Sequence, residues 1–206
     1  MVMSKSYPIA HIDLAALEHN LTRVKQFAPN SRIMSVIKAN AYGHGIFEAA
    51  QALSNSDAFC VARLSEGLQL RAAGIKHKIV ILEGVNSASE LESASENNLS
   101  LVFHTLQQIE LVCSTTLNKP LEFCWLMLET GMHRLGIASE KIKQAVQDLS
   151  ATDNILDSIA LMSHFANADL IEDSRNQQQL RQILQCAEQY NLLLIMSNSA
   201  SILALP

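Results

Sequence analysis

The segment Ser35–Gly45 has the sequence SVIKANAYGHG, and the apolar run Ile33–Ile37 leads directly into its Lys38. The run predicts a buried strand, and a charged lysine at the end of such a strand is costly to desolvate. Such a lysine can extend its amine to solvent. It can also lose its charge by condensing with an aldehyde, as lysines that bind pyridoxal phosphate (PLP) do. The spacing alone leaves both alternatives open, while Gly43 and Gly45 predict a tight turn from strand to helix.

Further apolar runs along the chain are similar to this first strand. They are Ala58–Ala62, Ile79–Leu82, Leu99–Phe103, Leu121–Leu128, Ile155–Met162 and Leu192–Met196. The runs are continuous rather than alternating, which is typical of a parallel sheet that is covered on both faces. Segments of helical periodicity lie between them, with predicted helix caps at Asp13, Ser65, Ser87 and Ser139.

Repeated strand–helix units indicate an α/β fold, and the absence of a G-x-G-x-x-G fingerprint favours a barrel over a doubly wound sheet. A closed (β/α)8 barrel needs one strand more than the seven that the sequence predicts. We therefore expect a (β/α)8 TIM-type barrel that is truncated after about seven βα units. No linker or low-complexity segment divides the chain, so residues 1–206 are expected to form one domain. A short strand is also predicted at Tyr7–Ile12, ahead of the first helix.

The composition and charge of the chain exclude several classes of protein. Its net charge is −5 and its basic residues form no cluster, so we expect no nucleic-acid partner. No apolar run is long enough for a membrane span, and the amino-terminal residues lack a secretory signal, so a cytoplasmic protein is predicted. The cysteines lie far apart, which favours reduced core thiols over disulfides or metal ligands, Cys60 and Cys124 above all. His44 and Glu48 could share a helix face, but one such pair predicts no metal site.

In a barrel the functional residues lie where the strands end, and the sequence places polar side chains at these positions. They are Lys38, Arg63, Glu83, His104, Glu129–Arg134, His164 and Ser197–Ser199. Loops are polar in most proteins, so ordinary surface polarity is the alternative interpretation of Arg63, Glu83 and His104.

Four segments resemble one known family. Residues 36–45 (VIKANAYGHG) resemble the PLP-lysine signature of alanine racemases, and residues 129–136 (ETGMHRLG) resemble the family's D-T-G-M-x-R-L-G. Residues 163–169 (SHFANAD) resemble its S/T-H-F-A-x-A-D, and residues 198–201 (NSAS) resemble its strand-seven phosphate loop. The motifs follow the family's order over nearly the whole chain. The chain is therefore similar to the N-terminal PLP-binding barrel domain of these fold type III PLP enzymes.

The resemblance implies how the chain would bind its cofactor. Lys38 would hold PLP and act as one of two catalytic bases. Tyr42 and Ser199 would contact the cofactor phosphate, and Asn198 belongs to the same phosphate loop. His164 would hydrogen-bond the arginine that faces the pyridine nitrogen in the family.

The same resemblance makes Arg134 the residue that binds the substrate carboxylate, a task suited to the planar fork of an arginine. Two positions depart from the family pattern. Met127 stands where a lysine, usually carbamylated, orients the arginine, and Glu129 replaces an aspartate. We therefore expect Arg134 to bind a carboxylate loosely.

By resemblance, the chain is a PLP-dependent racemase domain, an isomerase that interconverts L- and D-alanine and supplies D-alanine for peptidoglycan as a cytoplasmic homodimer. In the family an eighth strand and a C-terminal β domain follow, and the β domain supplies a tyrosine as second base across the dimer interface. Residues 1–206 alone are therefore expected to show no more than trace racemase activity. Two alternatives stay open: a single-domain PLP-binding protein of PLP homeostasis without racemase activity, and an inactive domain that serves only as a dimerisation partner.

Overall fold

Seven parallel strands form one sheet in the part of the chain that the computed structural model describes, residues 9–156 and 159–204. Each strand pairs with the next one in sequence. The strands are β1 (Met34–Val36), β2 (Ala58–Val61), β3 (Lys78–Ile81), β4 (Leu99–Phe103), β5 (Cys124–Met127), β6 (Ile159–Met162) and β7 (Leu193–Ile195).

Helical segments precede β1 and follow each strand. They are α1 (Leu14–Phe27), α2 (Lys38–Tyr42), α3 (Ile46–Ala52), α4 (Leu64–Ala72), α5 (Ala88–Glu96), α6 (Leu106–Ser114), α7 (Ser139–Ala151), α8 (Ser174–Tyr190) and α9 (Ser199–Ala204). Helix α1 contacts both α3 and α9, so the sheet curls until its first and last helices meet. The α/β fold with the seven βα units of a TIM-type barrel is confirmed.

Two apolar clusters cover the two faces of the sheet. The larger one lies between the strands and the helices, where Phe59, Leu101 and Leu126 are fully buried. The smaller one fills the concave side and consists of Cys60, Val80, Val102, Met127 and Met162. Successive strand residues point to opposite faces, so a strand that is covered on both sides is apolar at nearly every position, as in β2, where all the residues are buried. The continuous apolar runs of the sequence have this origin.

The strands occur in the predicted number and places, but several are shorter than the apolar runs that predicted them. The fourth strand matches Leu99–Phe103 in full. The run Leu121–Leu128 contains only β5 as a strand, since its two end residues form isolated bridges. Residues 9–12 form no strand, and the rest of the predicted strand Tyr7–Ile12 lies outside the described residues.

Two of the four predicted helix caps are confirmed. The side chain of Asp13 accepts a hydrogen bond from the backbone N–H of Ala16 at 3.2 Å, ahead of α1. The hydroxyl of Ser87 accepts one from the N–H of Glu90 at 3.3 Å, ahead of α5. These bonds satisfy N–H groups that have no partner within the helix.

The predicted caps at Ser65 and Ser139 are wrong. Helix α4 begins at Leu64, because the carboxylate of Glu66 accepts hydrogen bonds from the backbone of Ala62 and Arg63 and fixes the start earlier. Ser139 is the first residue of α7 rather than its cap.

The cysteines agree with the prediction of reduced core thiols at two positions. Cys60 and Cys124 are buried, and burial raises the pKa of each thiol to about 12. Cys113, in contrast, is exposed. Among residues 9–156 and 159–204, no helix has the length and apolar character that crossing a membrane requires.

Candidate active site

The chain makes an unusual turn directly after β1, at the lysine that the sequence singles out. Four consecutive residues adopt φ values between 52° and 55°, which places them in the left-handed region. They are Ala39, Asn40, Ala41 and Tyr42. L-amino acids pay about 1–2 kcal/mol per residue for this conformation. The sequence predicted a tight turn at Gly43 and Gly45, which both have φ of 92°, but not the left-handed turn ahead of them.

Side chains outside the turn hold it in place. The backbone N–H of Ala39 donates to Oε1 of Glu66 at 2.6 Å. The other carboxylate oxygen, Oε2, accepts from the N–H groups of Ala62 at 2.8 Å and Arg63 at 3.0 Å. Glu66 therefore ties the residue after Lys38 to the end of β2. This role is not evident from the motif around Lys38, although an acidic residue three positions after the helix cap is a recognisable signal.

Glycine at position 39 is expected to stabilise the protein, against the usual effect of an alanine-to-glycine change. Ala39 is exposed and has φ of 52°, so Ala39→Gly removes a left-handed alanine at the cost of a more flexible unfolded chain. We expect a net gain on the order of 0.5–1 kcal/mol in the free energy of unfolding. Urea unfolding measures it.

The matched control is Ala72→Gly, at an exposed position in the right-handed helix α4. It should lower the free energy of unfolding by about 0.5–1 kcal/mol. Equal losses in both variants would show that the turn carries no strain in solution.

Lys38, Arg134 and His164 lie in the segments that follow β1, β5 and β6, close enough for the charges of Lys38 and Arg134 to act on His164. The pKa of His164 is lowered by burial and, in addition, by the positive charges of Arg134 and Lys38. The positive charge of Lys38 also acts on the thiol of Cys60, which belongs to the apolar cluster on the concave side of the sheet. The sulfur atoms of Cys60 and Met34 are 3.9 Å apart there. The structure thus places cations above an apolar, sulfur-rich floor.

The lowered pKa of His164 makes the stability of the protein depend on pH. The unfolded chain binds a proton at the ordinary histidine pKa of about 6.5, whereas the folded chain does so only at lower pH. The free energy of unfolding should therefore fall as the pH drops from about 7 through that value. Urea unfolding across this range should show a shallower pH dependence for His164→Gln. An identical slope in the variant would contradict the assignment.

The loop after β5 differs from the pattern that the family motif implies. The carboxylate of Glu129 accepts a hydrogen bond from the backbone N–H of Gly131 and lies 3.9 Å from Nδ1 of His133. Met127 is buried and lines one small cleft together with Arg134 and His164. Within the described residues, Arg134 belongs to no salt bridge. No carboxylate of this loop therefore orients the guanidinium.

The loop after β7 leads into the short helix α9. Oδ1 of Asn198 accepts a hydrogen bond from the N–H of Ser201 at 3.0 Å, and Oγ of Ser201 accepts one from the N–H of Asn198 at 2.9 Å. The side chain of Asn198 is thus engaged in capping this helix. Ser199 and Tyr42 are exposed, so their hydroxyls are free to meet a ligand. Their assignment to a cofactor phosphate stays a prediction.

The three loop residues with an alternative interpretation interact mainly with one another. Nε of Arg63 lies 3.6 Å from a carboxylate oxygen of Glu83, and both side chains are exposed. The ring of His104 contacts the backbone oxygen of Glu83 at 3.0 Å. These contacts agree with ordinary loop polarity. Among residues 9–156 and 159–204, no cluster of three or more potential ligands could hold a metal ion.

A second contributor to the site, which no motif indicates, is Gln179 of α8, and its side chain is 2% exposed. It hydrogen-bonds the loops that follow both β5 and β6. A signal was present, because Asn176, Gln179, Ile183 and Ala187 form the buried stripe of α8 at helical spacing. Polar residues in such a stripe call for hydrogen-bond partners.

Comparison with known proteins identifies the family. Residues 12–206 match the family described as alanine racemase, N-terminal domain. The alanine racemase of Yersinia pestis bv. Antiqua (strain Angola) is 43% identical over 171 residues, which cover 83% of this chain and 47% of that protein. The alanine racemase of Aeromonas hydrophila is 39% identical over 198 residues, covering 96% of this chain and 55% of that one.

Solved structures of alanine racemases have the same fold. The enzyme from Acinetobacter baumannii superimposes with a TM-score of 0.86 at 39% identity, over 95% of this chain and 55% of that one. The biosynthetic enzyme from Pseudomonas aeruginosa gives 0.89 at 36% identity, over 95% and 54%. The chain spans about half the length of the curated relatives it matches. Sequence, fold and the order of the motifs agree, and the chain belongs to the alanine racemase N-terminal domain family.

Proposed function

We propose that this chain is the PLP-binding domain of an alanine racemase and that Lys38 is its cofactor lysine and one of its catalytic bases. The observation that carries the proposal is the convergence of Lys38, Arg134 and His164 at the carboxyl ends of three strands. Active sites of barrels lie on this face. The relatives and solved structures cited above are named alanine racemases.

The residues at this face fit PLP by their chemistry. The cofactor carries an aldehyde, an anionic phosphate and an aromatic ring. Lys38 is half-buried and offers an amine to the aldehyde, and the exposed hydroxyls of Tyr42 and Ser199 can donate to a phosphate. The apolar floor around Cys60 and Met127 suits one face of the ring. Asn198 shapes the phosphate loop through its capping contacts.

Each side chain has a distinct task in the proposed reaction. When bound, PLP withdraws electrons from the α carbon of an amino acid and so makes its C–H bond acidic. Nζ of Lys38, freed when the amino group of the substrate replaces it on the aldehyde carbon, would accept this proton and return it on the same face. The guanidinium of Arg134 holds the substrate carboxylate, and His164 stays neutral because burial and the two neighbouring cations lower its pKa.

Exchange of the α proton with solvent tests the role of Lys38 in this chain directly. Purified protein is incubated with PLP and each alanine enantiomer in heavy water, and deuterium at the α carbon is measured by mass spectrometry. A base on one face suffices for this exchange, so deuterium uptake is expected with at least one enantiomer. Free PLP at the same concentration is the control. Uptake no faster than in this control would argue against a racemase site.

A single-domain PLP-binding protein without racemase activity is the second candidate, and Met127 is the observation that favours it. Its thioether cannot supply the charge that orients the arginine in the family. Such a protein would take up PLP on Lys38 but would not exchange the α proton of alanine. The heavy-water experiment therefore separates the two candidates.

Restoring the family lysine should tighten substrate binding. In Met127→Lys with added bicarbonate, a carbamate next to Arg134 would orient the guanidinium, and we expect alanine to bind more tightly by about 1 kcal/mol. Titration of the absorbance of bound PLP with alanine measures the affinity. Met127→Leu, which keeps the site apolar, is the control. An affinity that does not respond to bicarbonate would show that other groups orient Arg134.

We further propose that the protein of which this domain is part acts in the cytoplasm as a homodimer and supplies D-alanine for peptidoglycan. Family membership supports these statements, because the relatives are alanine racemases. Analytical ultracentrifugation tests the oligomeric state, and growth of a deletion strain with and without D-alanine tests the cellular role.

A further inference from the structure

We propose that Gln179 is a positioning residue that locks the loop carrying Arg134 to the loop carrying His164, and that the carboxylate affinity of the site depends on this lock. The inference rests on the proposed function, since it concerns the same site. Gln179 belongs to α8, which follows the His164 loop in sequence, and its side chain is 2% exposed.

Both N–H groups of the Gln179 amide donate hydrogen bonds, one to each of the two loops. Its Nε2 donates to Oγ1 of Thr130 at 3.0 Å and to the backbone oxygen of His164 at 3.1 Å. Its Oε1 accepts from the backbone N–H of Ala166 at 3.0 Å. Thr130 lies four residues before Arg134 in the loop after β5, whereas His164 and Ala166 follow β6.

The hydrogen bonds next to this amide determine which of the two hydroxyls, Ser163 or Thr130, is the donor. Oγ of Ser163 donates to the backbone oxygen of Leu128 at 2.9 Å and so has no second proton to give. In the contact between the hydroxyls of Ser163 and Thr130, at 2.7 Å, Thr130 must therefore be the donor. Oγ1 of Thr130 is then an acceptor toward α8, and only an N–H or O–H at position 179 can satisfy it. A carboxylate there would place acceptor against acceptor.

The rest of the surroundings makes this lock important for Arg134. Gln182, at the next position on α8 that faces the loop, donates to the backbone oxygen of Glu129 at 3.4 Å. Within the described residues the guanidinium of Arg134 has no salt bridge, and Met127 offers it no charge. The position of Arg134 relative to His164 is therefore set by the backbone of its loop. That loop is held to α8 by Gln179, through the hydroxyl of Thr130, and by Gln182, through the backbone oxygen of Glu129.

The test compares Gln179→Glu with Gln178→Glu, which adds the same charge at the exposed neighbouring position of α8. In Gln179→Glu we expect Lys38 to take up PLP as in the wild type, because the hydrogen bonds of the lock do not reach β1. The dissociation constant for alanine should rise at least about tenfold. Lowering the pH should recover part of the affinity, since a protonated carboxyl can again donate to Thr130. Gln178→Glu should behave as the wild type.

A second pair of variants keeps the proposal testable if Gln179→Glu does not fold. Thr130→Val removes the hydroxyl at nearly constant shape and should weaken alanine binding, while Thr130→Ser retains the hydroxyl and should bind like the wild type. A PLP-loaded Gln179→Glu or Thr130→Val protein with wild-type alanine affinity would overturn the inference.

Hydrogen exchange separates this inference from the proposed function, because it needs no cofactor. Mass spectrometry of peptides should show that Thr130→Val lowers protection of residues 129–135 and 163–168 together and leaves residues 34–42 unchanged. Unchanged protection of both loops would overturn the lock even in a protein that racemises alanine. A wild-type protein that takes up no PLP would refute the proposed function, and the exchange data would still decide on the lock.

Discussion

Replacement of Lys38 by arginine is expected to abolish the covalent attachment of PLP. A guanidinium stays protonated and does not condense with an aldehyde, yet it keeps the positive charge that acts on His164. In the wild type, borohydride reduction followed by peptide mapping should place the pyridoxyl group on the peptide that contains Lys38. In Lys38→Arg the label should be absent.

The control is Lys141→Arg, a change at an exposed lysine of α7 that should leave the labelling intact. Circular dichroism should confirm that both variants are folded. A pyridoxyl group found on another lysine of the wild-type protein would refute the assignment of Lys38 and, with it, the proposed chemistry.

Loss of the guanidinium at Arg134 should have the second largest effect, on substrate affinity. A hydrogen bond to a charged group contributes about 1.5–3 kcal/mol, so Arg134→Leu should weaken alanine binding by roughly ten- to more than a hundredfold. Arg134→Lys keeps the charge but loses the two-point grip, and it should fall between the wild type and Arg134→Leu. Absorbance titration of the PLP-loaded protein with alanine gives the three affinities.

Arg181→Leu removes a comparable charge from an exposed position of α8 and is the control for non-specific electrostatics. PLP labelling of Lys38 should be unchanged in all these variants. If Arg181→Leu weakened alanine binding as much as Arg134→Leu, the carboxylate would be attracted by net charge rather than held by Arg134.

The strands were predictable from sequence because their environment leaves little choice. A strand that packs against helices on one face and the barrel interior on the other is apolar at nearly every position, as β2 (Ala58–Val61) is. The ends of the strands were less predictable. Apolarity at Leu121 and Leu128 reflects burial, whereas ladder pairing depends on where the neighbouring strand begins.

The left-handed turn after Lys38 could not be predicted from local preference. Alanine favours right-handed helices more than any other residue, yet Ala39 and Ala41 both have φ of 52°. Tertiary contacts override the preference here, including the hydrogen bond from Ala39 to Glu66, which is distant in sequence. The position of Lys38 therefore depends on a residue of α4 that no local pattern around the lysine reveals.

The candidate site was predictable where a motif carries it and hidden where a buried side chain supports it. The segments around Lys38, Arg134 and His164 were found from their own sequence. Gln179 is hidden from a search for apolar periodicity, because it is a polar residue on the buried face of α8. A glutamine on a buried helix face is informative, since its amide must find partners in the fold.

The sequential order of the strands also bears on how the protein is made. Each strand pairs with the strand that precedes it, so the sheet can be extended by one βα unit at a time. A ribosome releases the chain from its amino terminus at about 5–20 residues per second. When a strand emerges from the ribosome, the strand with which it pairs has already left the ribosomal exit tunnel. For example, β1 is outside the tunnel before β2 (Ala58–Val61) emerges. Folding can thus proceed in the direction of translation, with each strand's ladder partner synthesised before it.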